Sequence, residues 1–171
     1  MDTPGWALAL AYWLHMLATV VWIGGMAALA LFVLPATRRA LPAGEYATFL
    51  GELRRRLDPW SWFSLAILLG TGMLQMSASP NYGGFLAIDN RWAVAILLKH
   101  ILFLAMAGFS AYMTWGLLPR FQRLALGRAG AGPETTVQEA EKLVKEEALL
   151  LRANLILGVL ILALTAIARA A

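Results

Sequence analysis

From Trp6 to Leu34 the chain carries no Asp, Glu, Lys or Arg, and three further stretches hold at most one such residue each. These run from about Pro59 to Met76, from Trp92 to Leu118 and from about Ala148 to Ile167. A helix crossing roughly 30 Å of hydrocarbon needs about 20 mainly apolar residues, somewhat more when tilted. Each stretch meets that requirement. Inside lipid the backbone must satisfy its own hydrogen bonds, which leaves the helix as the spanning form for such segments. The expected fold is therefore all-α, a four-transmembrane-helix bundle that forms one domain over residues 1–171. Composition agrees, with 60 % of residues hydrophobic and 14 % charged, where a soluble domain carries about 25 % charge.

Loop charges orient the bundle. Arg38, Arg39, Arg54, Arg55 and Arg56 lie between spans one and two, and Arg120, Arg123, Arg128, Lys142 and Lys145 between spans three and four. The connection from span two to span three has only Arg91, beside Asp89, and no Lys or Arg precedes the first span. Basic loops stay in the cytoplasm, so both termini are expected outside an inner (cytoplasmic) membrane, with spans one and three running in the same direction. Asp2 stands where a signal peptide would carry basic residues, and the apolar stretch is too long for a signal core, so the first segment reads as a span. The net charge of +4 follows from this topology and gives no reason to expect nucleic acid.

The cytoplasmic connections have helical character. Tyr46, Phe49, Leu50, Leu53 and Leu57 recur at helical spacing among charged residues, which predicts an amphipathic helix on the inner surface. Thr135 to Leu151 reads as a polar extension of span four, with Thr136 and Glu139 spaced as a capping box. Gly127 to Pro133 reads as a flexible linker. The Ser77–Asn90 loop is long enough to lie across the outer mouth.

Two histidines, His15 and His100, lie inside spans one and three, each a similar distance past a boundary tryptophan, Trp6 and Trp92. At about 1.5 Å per residue both fall roughly 12–14 Å below the same membrane face. Ionisable groups at that depth mark functional sites, and two at matched depth suggest a shared ligand. Haem b iron is the first expectation, with His15 and His100 as axial ligands, since helical bundles build such sites from facing side chains. Tyr12, Trp22 and Phe103 are expected as pocket walls, and Lys99 and Arg91 as partners for propionates or protons. The bland alternative is that each His bonds an oxygen between helices.

Thioether and imidazole also suit Cu(I), which makes His15, Met16, Met73 and Met76 a rival metal site. There is no cysteine, which excludes thiolate and iron–sulfur sites and covalent haem attachment. No nucleophile–base pair, phosphate loop or hydrolytic metal cluster is legible, and the acids are expected almost entirely in aqueous segments. Arg152 and Asn154 are expected to pair within the bundle or reach the interface.

The first span, LHMLATVVWIGGM, resembles the first helix of the copper resistance protein D (CopD-like) membrane domain, with its His, following Trp and paired glycines. LLGTGMLQM, WAVAILLKHILFLAMAGFSAYM and LLLRANLILGVLILALTAIA are similar to its later spans, so the likeness covers nearly the whole chain. It implies copper uptake or tolerance. The HemJ-like haem b proteins are more distantly similar, and that likeness implies roles for His15 and Lys99. Lys99-His100 and Arg152-Ala-Asn154 depart from the HemJ pattern, however, and the oxidase chemistry of that family does not transfer.

Three functions follow as expectations. The first is a haem b protein in electron transfer or as an oxidoreductase, with quinol and an outer-face redox partner. The second is a Cu(I) transport or tolerance protein. The third is an accessory subunit, as a homo-oligomer or within a larger membrane complex.

Overall fold

The computed structural model describes residues 4–84, 90–125 and 133–170, without the side chains of 43, 44, 125, 133–136 and 170. Among those residues the chain is helical, with no strand. Helix α1 spans Gly5–Ala40 and α3 spans Arg91–Leu124. Between them lies α2, Ala43–Ser77, and α4 spans Pro133–Ala170. The Thr136 side chain of the expected capping box, the 127–132 linker and residues 85–89 of the outer loop fall outside the described residues.

Two helices run beyond the span ends expected at Leu34 and Leu118, each through a proline. α1 continues past Pro35 to Ala40, and α3 past Pro119 to Leu124. A helical proline lacks the N–H owed to the carbonyl four residues back and crowds it. In both helices a π-type stretch comes just before, at Leu29–Val33 and at Tyr112–Leu117. That wider turn relieves the crowding at the Leu31 and Trp115 carbonyls. Pro59 likewise lies inside α2. The segment expected as a separate surface helix is therefore the first half of one continuous helix, and its Tyr46 and Leu50 are buried in the core.

Neighbouring helices are antiparallel. His15 meets Thr71 while Leu34 and Tyr46 line one cavity, so α1 and α2 run oppositely. Tyr112 meets Glu146 and Ser110 meets Asn154, so α3 and α4 do too. α1 is also antiparallel to α4, since Ile23 lies beside Gly158 while Leu34 shares a cavity with Ala148 and Leu151, so α1 and α3 share a direction.

α1, α3 and most of α4 (Val137–Arg169) are long and apolar enough to cross a membrane. The second half of α2 is diluted by Ser61, Ser64, Thr71 and Gln75. These are inward-facing groups in part: Ser64 is buried, and Thr71 and Gln75 bond α1. Large apolar side chains cover the outside, among them Trp6, Phe32, Leu104, Trp115 and Ile156, as a lipid-facing surface requires.

At the arginine-rich end the helices run on together. Leu50, Leu117, Phe121, Leu143 and Leu151 pack there as one core. Gly51 admits Phe121 closely, an added Cβ lying 3.5 Å from the Phe121 Cβ. Lipid supplies no hydrophobic drive between helices, whereas water at this end does, at about 1.5–3 kcal/mol per fully buried large side chain.

Candidate functional site

His15 is held against α2. Its Nδ1 lies 2.8 Å from the Thr71 hydroxyl oxygen, and that hydroxyl donates its one proton to the Ile67 carbonyl at 2.5 Å. The contact therefore requires His15 Nδ1–H to donate to Thr71, leaving the Nε2 lone pair as the ligand position. Beside the ring is Gly72, where a Cβ would stand 3.5 Å from His15 Cε1. One turn further out, Gln75 donates to the Ala11 carbonyl at 3.3 Å. Met76 follows Gly72 by four residues on the same face of α2, about 6 Å along the axis, and is buried. Met73 and Met16 are instead 46 % and 60 % exposed.

Cations gather around this end. Lys99 is close enough to His15 to act on it electrostatically, and Arg169 to act on Lys99. The Arg169 guanidinium lies 5.3 Å from the centre of the Tyr12 ring. His100, next to Lys99, is at this same level, with its Nδ1 2.7 Å from the Ile96 carbonyl of its own helix. Trp22 lies deeper, in the core, and Phe103 packs against that core. Arg91 is exposed at the start of α3. Among the described residues no three His, Asp or Glu side chains group as a metal site.

A second polar layer lies toward the arginine-rich end and was not legible as a site. Arg54 Nε donates to Glu147 Oε1 at 2.6 Å, and its Nη1 is 3.7 Å from Asp58 Oδ1. Its Nη2 donates to the Met113 sulfur at 3.0 Å. All three charged residues are buried, and Asp58 Oδ2 and Glu147 Oε2 have no hydrogen-bond partner. The expectation that the acids are solvated is thus corrected at these two positions. The usable signal was spacing: Tyr46, Leu50, Arg54 and Asp58 recur every four residues, and Glu147 stands four before Leu151. Each charge is in step with the buried face.

Between the layers, Asn154 Nδ2 donates to Ser110 Oγ at 3.1 Å, which donates to the Met106 carbonyl. Asn154 thus pairs within the bundle, while Arg152 is exposed. The methionines Met26, Met106 and Met113 are buried in this same core.

Buried polar groups joined across an apolar helix bundle, beside an imidazole with one open nitrogen, define a polytopic membrane protein with a soft-ligand interior. The family model for copper resistance protein D matches residues 51–168, well over half of the chain, and the chain belongs to that family. The match covers α3, nearly all of α4 and α2 from Gly51, and α1 with His15 lies before it. The family's description points to copper; haem b and the HemJ-like resemblance gain no support from it. No curated protein and no solved structure matches the chain.

Proposed function

We propose that this CopD-family protein handles Cu(I) in the inner membrane, through four spans with both termini outside. The supporting observation is the Thr71–His15 pair, which directs the Nδ1 proton to Thr71 and leaves Nε2 as the position where a neutral imidazole would bind a metal. Met76, buried on the adjoining face of α2, supplies the nearest thioether by helical register. Met73 and Met16 are exposed on the outside of the bundle, where the lipid lies, and are not counted in the site. Imidazole and thioether are donors that favour Cu(I) over hard cations. The buried sulfurs of Met106, Met26 and Met113 continue soft ligation along the core. The test is Cu(I) uptake into proteoliposomes enclosing a Cu(I)-specific chromophore. Uptake that falls at least tenfold in His15→Ala and Met76→Leu supports the reading, and uptake equal to empty liposomes overturns it.

One observation favours haem b as a second reading. Lys99 places positive charge near His15, with Arg169 near Lys99 in turn, which suits propionates better than a cation. His100 at the same level would then be the other axial ligand. An intense Soret band lost in both His15→Ala and His100→Ala would replace the copper reading with this one.

A further inference from the structure

A cavity of about 210 Å³ opens at the arginine-rich end, between the last turns of α1, the start of α2 and the middle of α4. Its lining divides by chemistry. Arg38 and Arg39 from α1 and Arg152 from α4 form one part, and Leu34 and Leu151 with neighbouring small residues form the other. All three arginines are exposed, none has a carboxylate within ion-pair distance among the described residues, and no acid lines the cavity. Tyr46 lines it as well and is buried. Burial, with the Glu147 carboxylate behind it, pushes the Tyr46 hydroxyl above its ordinary range against the pull of Arg38, so it stays a proton donor.

Positive charge left without a partner beside an apolar wall calls for an anion with a hydrocarbon part. Arg is suited to phosphate because its planar fork donates two parallel hydrogen bonds. A free phosphate would use the guanidinium groups alone and leave Leu34 and Leu151 uncovered. A phospholipid uses both halves, and basic pockets between helices at the cytoplasmic face are where anionic head groups bind.

We propose that this cavity is a specific site for an anionic phospholipid, with its phosphodiester held by Arg38, Arg39 and Arg152 and the head of an acyl chain along Leu34 and Leu151. The site rests on the bilayer placement of the bundle and is independent of copper. Its occupancy ties the end of α1 to α4.

The test is native mass spectrometry of the whole protein in mild detergent with phosphatidylglycerol, phosphatidylcholine or inorganic phosphate added at equal concentration. Expected is retention of phosphatidylglycerol at least tenfold above phosphatidylcholine. The Arg38→Gln/Arg39→Gln/Arg152→Gln variant loses that preference while keeping wild-type helicity and wild-type Cu(I) binding. The Arg55→Gln/Arg56→Gln variant, which removes equally basic residues away from the cavity, retains it. Equal retention of the two lipids, or loss in both variants alike, overturns the proposal. Inorganic phosphate displacing phosphatidylglycerol at equal concentration would reassign the cavity to the free anion and overturn it as well.

Discussion

Thr71 determines the tautomer of His15: its oxygen can only accept the Nδ1 proton, at 2.8 Å, because its own proton goes to Ile67. A hydroxyl on α2 thereby gives an imidazole on α1 a defined direction, with Nε2 as its acceptor nitrogen. Groups behind a metal-binding His typically set its affinity by about 10- to 100-fold.

Thr71→Val keeps the side-chain shape and removes the acceptor. Cu(I) affinity, measured by competition with a chromophoric chelator, is expected to fall by about 10- to 100-fold, with helicity unchanged. Thr71→Ser retains the oxygen and should stay close to wild type.

Lys99 separates copper from haem. If His15 binds Cu(I), Lys99→Leu removes a like charge acting on the site without adding a donor, and Cu(I) binding tightens several-fold. If His15 binds haem, the same change removes a propionate partner and loosens the cofactor. The same chelator competition, paired with a haem titration, gives opposite signs.

Much of the fold was readable because lipid imposes it. Bare apolar runs and helical spacing foretold α-helices and their order, whereas the stretch with Tyr46, Leu50 and Leu57, read as a separate surface helix, is continuous with α2 and partly buried. What failed was local: Pro35, Pro59 and Pro119 read as boundaries, and wide π turns or a helix carried through overrode them. The His15 position was legible from depth, but its partner was not. Thr71 is an ordinary polar residue until α1 and α2 are packed together. Arg54 and Glu147 were hidden for a similar reason, since 93 residues separate them along the chain.

The Arg54–Glu147 pair should behave as a buried ion pair. Glu147→Leu leaves the guanidinium with only Asp58 at 3.7 Å and is expected to destabilise the protein by about 3–5 kcal/mol. The double variant Arg54→Met/Glu147→Leu should recover most of that loss. Unfolding in mixed micelles with increasing denaturing detergent measures both.

Gly116 makes room for an aromatic ring. A Cβ there would lie 2.9 Å from Tyr112 Cδ2 and Cε2, and the ring cannot yield without moving its hydroxyl from Glu146, 2.7 Å away. Gly116→Ala is expected to cost about 1–3 kcal/mol. Gly108→Ala, whose Cβ meets nothing within 4 Å, should be neutral or stabilising in the same unfolding assay.

The Asn154–Ser110 bond is a buried link between α3 and α4. A double-mutant cycle with Asn154→Ala and Ser110→Ala should return a coupling of about 0.6 kcal/mol and no more than about 1.7. A coupling of zero would mean that this bond contributes nothing to holding α3 against α4.

The most direct measurement is X-ray absorption at the copper edge on purified protein loaded with one equivalent of Cu(I), for wild type, His15→Ala and Met76→Leu. Expected is a first shell with imidazole nitrogen and thioether sulfur, the nitrogen lost in His15→Ala and sulfur depleted in Met76→Leu. A shell identical in all three proteins, or no copper retained after desalting, would contradict a Cu(I) site at His15.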